Sequence, residues 1–121
     1  MAENSHIRPV IWVGDSNKQI KKMPDDVQDQ LGGELYLAQV GLMPPHAKPF
    51  KSVGSGVFEI KDNYDTDTFR LVYAVQIGKR LYVLHAFQKK SKKGIATSKK
   101  DVDLISKRYR EACEIEKEFE T

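Results

Sequence analysis

The stretch FRLVYAVQIGKRLYVLHAFQ, residues 69–88, holds two runs of β-branched and aromatic residues separated by Gly78 and Lys79. A Gly-X pair between such runs is what a two-residue type II′ hairpin turn requires, so strands are expected over Phe69 to Ile77 and Leu81 to Gln88. With that turn, Ile77 pairs with Arg80, Val72 lies opposite His85, and Arg70 lies opposite Phe87. Side chains alternate along a strand, which puts Arg70, Val72, Ala74 and Gln76 on one face with Leu81, Val83, His85 and Phe87. Phe69, Leu71, Tyr73, Val75, Ile77, Tyr82, Leu84 and Ala86 form the other face, which is more continuously apolar and is expected to pack against helices. Arg70 and His85 come out as neighbours on the less crowded face.

Working outward, Val57 to Lys61 reads as a further strand. Asp62 to Asp67 follows it without the spacing, glycine or closing glutamate of a calcium loop and reads as a solvated turn. Met43 to Gly56 holds Pro44, Pro45, Pro49, Gly54 and Gly56, which make it a loop, and it carries His46, Lys48 and Lys51. Before it, Val27, Leu31, Leu35, Ala38 and Leu42 recur at helical spacing, predicting a helix over Pro24 to Leu42. Gly32 and Gly33 each weaken that helix by about 1 kcal/mol and mark a kink or a close helix contact. Asp15 or Ser16 starts a short helix through Lys22, after a first strand at Val10 to Val13. On the C-terminal side, Ser98 and Asp101 form a helix start, and Val102, Ile105, Tyr109, Ala112 and Phe119 give a stripe for a helix over Lys99 to Phe119. The expected fold is α+β in a single domain over 1–121: a small, mostly antiparallel sheet with an N-terminal helical hairpin and a C-terminal helix.

A chain of 121 residues has the size of one domain with one core. No run approaches the roughly 20 apolar residues of a membrane span, and Met1 to Arg8 lacks the apolar centre of a secretory signal, so a cytoplasmic location without membrane partners is expected. Cys113 is the one cysteine, which excludes an intramolecular disulfide and a cysteine-based zinc site within one chain. It reads as a packed thiol. The formal net charge is only +3, but Lys79, Arg80, Lys89, Lys90, Lys92, Lys93, Lys99 and Lys100 fall in one stretch without an acid. Such a local field attracts polyanions, whether nucleic acid or an acidic protein.

There is no phosphate-binding glycine loop, zinc signature or serine nucleophile elbow, and no metal or cofactor is expected. Cleaving RNA without a metal needs a base for the 2′-hydroxyl, cations on the phosphate and a proton for the leaving 5′-oxygen. Arg70, in an otherwise apolar strand, is either an edge or surface arginine, for which Glu59 is a candidate partner, or a phosphate contact. His85 is either a packed, hydrogen-bonded core residue or a proton-transfer group. Lys89 and Lys90, with Lys92 and Lys93, leave the strand beside it and are candidate phosphate ligands. Arg80, Lys48 and Lys51 are further candidate RNA contacts. Glu59 is a candidate base or the partner of Arg70.

These residues resemble a known pattern. Lys51 before a glycine loop, Val57-Phe58-Glu59-Ile60-Lys61, Phe69-Arg70-Leu71-Val72-Tyr73, the run from Leu81 to Lys90, and a lysine linker into a final helix containing Arg108 together resemble the RelE/ParE toxin superfamily, most closely its phage-related HigB-like branch. The resemblance covers about Val10 to Ala112 and is most specific over Leu84 to Lys93. It implies a RelE-like fold and a ribosome-dependent mRNA endoribonuclease that works without a metal, partnered by a helix-turn-helix antitoxin. It also implies that Arg70 contacts the scissile phosphate and that Lys51, Lys89 and Lys90 surround the substrate. The chain ends without the tyrosine that RelE-type enzymes often place there, which leaves His85 as the proton-transfer candidate. Two other functions fit the same pattern: a ParE-like inhibitor of DNA gyrase, and a non-catalytic phage-derived module that binds nucleic acid or protein.

Overall fold

A computed structural model describes residues 7–89 and 97–120, so the expected contacts at Lys90, Lys92 and Lys93 lie outside the described residues. The elements run β1 (Val10–Trp12), α1 (Ser16–Ile20), α2 (Asp25–Gln39), β2 (Ala47–Pro49), β3 (Val57–Tyr64), β4 (Asp67–Ile77), β5 (Arg80–Lys89) and α3 (Lys99–Glu120). The five strands form one sheet in the order β1-β5-β4-β3-β2, antiparallel except where β1 pairs with β5. This is the α+β architecture of a small RelE-like fold.

The hairpin follows from its turn. Gly78 adopts a φ of +60°, Ile77 pairs with Arg80, Val72 with His85, and Arg70 with Phe87, as read from residues 69–88. Between those points the register shifts twice. Ala74 pairs with Tyr82 and Tyr73 with Val83, and Leu84 has no partner in the β4 register. One irregularity offsets the other, so the strand ends stay in step while the middle turns over.

The expected faces are therefore corrected. Leu81 and Val83 join Phe69, Leu71, Tyr73 and Ala86 on the face covered by Val27, Leu31, Leu35 and Ala38 of α2. Ile77, Tyr82 and Leu84 lie instead with Val72, Ala74 and Phe87 under Ile105 and Ala112 of α3. Both faces are thus packed, and the side carrying Arg70 and His85 is not an open one. Of the first two helices, α1 packs on β5 and α2 across β3 and β4, and Ile20 of α1 shares one core cluster with Val27 and Leu31 of α2.

Three other expectations change. The proline-rich stretch contains a strand, β2, which Pro49 permits because β2 is an edge strand. Residues 62–67 shrink to a tight turn at Asp65, whose φ of 60° an aspartate tolerates better than most residues. Helix α2 runs unbroken through Gly32 and Gly33, and the space beside both is open, so they mark neither kink nor close contact.

Helix α3 departs most from its apolar reading. It buries Ile105, Arg108, Ala112 and Glu116, a stripe in which two of four side chains are charged. Phe119 is half-exposed, its ring 3.7 Å beneath the Arg80 guanidinium. Glu116 accepts hydrogen bonds from the Tyr82 hydroxyl at 2.6 Å and from Arg80 Nη1 at 3.0 Å. Burial and that carboxylate push the tyrosine's pKa up, so its hydroxyl remains a donor. Cys113 is half-buried beside the same cluster.

Replacing Glu116 with alanine leaves the Tyr82 hydroxyl and Arg80 without their acceptor. A loss of about 3 kcal/mol is expected in denaturant unfolding. Glu120→Ala, on the exposed end of the same helix, should stay within about 0.5 kcal/mol of the parent.

Candidate functional site

The sheet register assembles a basic face. Lys48, Glu59, Val72 and His85 form one row across β2, β3, β4 and β5. Two residues along, Lys61, Arg70 and Phe87 form the next row, and Asn63, Thr68 and Lys89 a third. Strands lie about 4.8 Å apart and such rows about 7 Å apart, so these cations share one region of the surface. The N-terminal end of α3 rests on it.

Arg70 pairs with Glu59 but is buried on a central strand, not at an edge or on the surface. Its Nη1 lies 2.9 Å from Glu59 Oε2, with the two side chains only 10% and 12% exposed. Thr97 Oγ1 stands 3.4 Å from that same Arg70 nitrogen and from Glu59 Oε2. The guanidinium is thus oriented from two elements.

His85 is buried and packed. Its ring stacks on Phe87 with centroids 4.4 Å apart, and its Nε2 lies 3.0 Å from Asp101 Oδ1. Its Nδ1 is buried with no hydrogen-bond partner among the described residues. Phe87 lies directly across from Arg70, so the expected neighbours meet through that ring. Asp101 is held in turn by Ser98, whose Oγ donates to its carboxylate at 2.9 Å and accepts from its backbone N–H at 3.2 Å. This reciprocal cap is what Ser98 and Asp101 predicted for the helix start.

The remaining candidates divide. Lys89 reaches the third row and acts electrostatically on Asp101. Lys48 is exposed and Lys61 half-buried; both line a cavity of about 180 Å³ with Pro45, His46, Ala47 and Asn63. Lys51 lines a different cavity, beside Pro49, Gly54 and Val57. Arg80 does not belong to the face. It sits at the turn end of β5, committed to Glu116, and the nine residues to Lys89 span about 30 Å of strand.

At the sheet's β2 edge, Glu34 of α2 is buried and His46 exposed, their side chains 5% and 58% accessible. Glu34 Oε1 accepts the His46 backbone N–H at 2.9 Å, and Oε2 lies 2.6 Å from the ring Nδ1. Asp62 is close enough that burial and the Glu34 charge raise its pKa, against an opposing effect of His46.

Sequence reading had not assigned Lys61, Thr97, Asp101 or Glu34 to the site. The alternation of Glu59 and Lys61 along one strand was the available signal for Lys61. Among the described residues no group of three or more histidine, cysteine, aspartate or glutamate side chains could hold a metal, and no helix is long and apolar enough to cross a membrane.

The profile of a family described as Phage derived protein Gp49-like (DUF891) matches residues 18–110, well over half of the chain. No curated protein matches it.

Burial disfavours a charged His85 ring and outweighs the help of Asp101, so its pKa falls below the ordinary 6.5. Burial alone would raise Asp101, but the bonds from His85 and Ser98 hold its carboxyl below the ordinary 3.8. Acidification through 6.5 protonates the unfolded histidine before the folded one, so the unfolded state binds more protons and stability drops. Urea unfolding should show this loss as pH falls below about 6.5, with a further loss near the carboxylate range from Asp101. A His85→Phe variant should lack the first of these losses.

Proposed function

The chain belongs to the phage-derived Gp49-like family, a RelE-like toxin family, and from that membership we propose that it is the toxin of a type II toxin–antitoxin pair that cleaves mRNA in the ribosomal A site. The observation that carries this reading is the set of cations that the register gathers on one face: Arg70 with Lys48, Lys61 and Lys89. An RNA strand passing along the rim of that face meets the positive charge of Lys48, Lys61 and Lys89.

On this reading Arg70 supports the scissile phosphate. Glu59 and Thr97 hold the guanidinium in place before substrate arrives, and pre-oriented charge stabilises a transition state without reorganisation. Lys48, Lys61 and Lys89 attract and align the flanking backbone, and Lys90, Lys92 and Lys93 follow Lys89 in the sequence. Lys51 lines the neighbouring cavity beside Gly54 and Val57. His85 and Asp101 seat the start of α3 on the face, so Thr97 and Ser98 arrive beside Arg70 and Asp101. The partner on this reading is a helix-turn-helix antitoxin from a neighbouring gene.

Induced expression followed by mapping of mRNA 5′ ends should reveal new cuts within translated codons. Intact mRNA with inhibited DNA supercoiling would point instead to a gyrase inhibitor, and intact mRNA with normal supercoiling to a binding module. Because Arg70→Gln alone strands Glu59, the decisive variant is Arg70→Gln with Glu59→Gln, which removes both charges together. It should fold and lose about 100-fold or more in cleavage.

A further inference from the structure

We propose that His46 is the catalytic base of this reaction, oriented and activated by the buried carboxylate of Glu34. The inference rests on the RNA-cleavage reading above and assigns its missing proton acceptor. His85 is ill placed for that role, since its Nε2 is committed to Asp101 and its Nδ1 is buried. His46 is the described histidine whose ring is open to solvent.

The geometry is that of a carboxylate–imidazole dyad. A carboxylate only accepts, so the His46 nitrogen 2.6 Å from Glu34 Oε2 carries the ring proton, and Nε2 presents its lone pair. Glu34 fixes the ring twice, through Nδ1 and through the His46 backbone N–H. Gln30 Nε2 donates to the same carboxylate oxygen and lies 3.4 Å from His46 Nδ1. The charged groups around the ring are Glu34 from α2, Asp62 and Lys61 from β3, and Lys48 from β2. His46, Lys48, Lys61 and Asn63 line one cavity, and Lys48 and Lys61 belong to the rows that contain Glu59 and Arg70. The base therefore shares a cavity at the β2 edge with two lysines of the phosphate-binding rows.

In the step proposed, His46 Nε2 takes the proton of a ribose 2′-hydroxyl. The 2′-oxygen bonds to phosphorus, the bond from phosphorus to the 5′-oxygen breaks, and the proton passes from His46 through water to that leaving oxygen. The products are a 2′,3′-cyclic phosphate and a 5′-hydroxyl, with no net proton or electron exchange. Lys48 and Lys61 offset the charge that develops on the phosphate, and Glu34 stabilises the imidazolium. Glu34 is a positioning residue, acting through His46.

The test is single-turnover cleavage of mRNA on programmed ribosomes by the full chain. His46→Ala should lower the rate about 100-fold or more while ribosome affinity stays within about threefold. Glu34→Gln keeps an acceptor for the His46 backbone but removes the charge that favours the imidazolium. Its rate should fall about tenfold, while Glu34→Ala, which also loses the acceptor for the His46 backbone, should fall further. Wild-type protein titrated with a 2′-O-methyl RNA oligonucleotide should show shifts in the His46 ring NMR signals, a readout that no variant's folding can obscure. A His46→Ala enzyme that cuts at the parental rate, a loss confined to ribosome affinity, or unmoved ring signals would overturn the assignment and leave the function standing. A wild-type protein that leaves mRNA intact would overturn both.

Discussion

Helix α3 buries two charges against the sheet, and the sheet is shaped around them. An unpaired buried charge costs several kcal/mol, more than the roughly 1.5–3 kcal/mol that full burial of one aliphatic side chain returns. Arg108 and Glu116 are therefore tolerable only where partners wait. Arg108 donates to the Leu84 carbonyl at 3.1 Å and to Asp15 at 2.7 Å, and the arginine's hydrogen bond, followed by one from Gln19, holds the Asp15 carboxyl below its usual range. Each charge also sits on a glycine with positive φ: a Cβ at Gly14 would meet the Arg108 guanidinium at 2.6 Å, and one at Gly78 would run into the Glu116 carboxylate. The two glycines thus answer two demands at once, a left-handed turn and room for a charged group.

The irregular register of the central hairpin belongs to the same arrangement. Leu84, skipped by β4 between Val83 and His85, is the residue whose carbonyl receives Arg108. A bulge leaves backbone groups outside the ladder, and a buried carbonyl must find a donor elsewhere. The bulge also turns Leu84 and Tyr82 toward α3, which lets the tyrosine hydroxyl reach Glu116. At the helix start, Asp101 on His85 completes a series of polar contacts along one side of α3, and that contact fixes the edge of the basic face.

These dependencies explain which parts of the structure were legible in residue order. The Gly78 turn set the hairpin register at both ends because a two-residue turn leaves no freedom. It failed in the middle because nothing local in Leu71 to Leu84 signals two compensating shifts. Strict alternation then put Tyr82, Leu84 and Ile77 on the wrong side. Strand β2 was hidden by prolines that an edge position tolerates, and the apolar stripe expected on α3 was in truth half ionic. Arg70 and Lys89 could be placed from alternation alone. Asp101 and Glu34 could not, because each acts across many residues on a histidine in another element, and each looked locally like an ordinary helix carboxylate.

The contrast between the two kinds of cation on the face bears on how it would work. Lys48 is exposed and Lys89 half-exposed on flexible stems, so their attraction for a polyanion is long-ranged and weakens as salt rises. Arg70 is different. It is shielded from water and already oriented by Glu59 and Thr97, so added salt screens it little and binding need not pay to order it. The carboxylate that orients Arg70 also offsets part of its charge, which makes the arginine a poor device for capturing RNA and a good one for a phosphate delivered to it. On the proposed reading, capture by lysines at the rim and support by a buried arginine would be separable properties of one surface, joined by the sheet register.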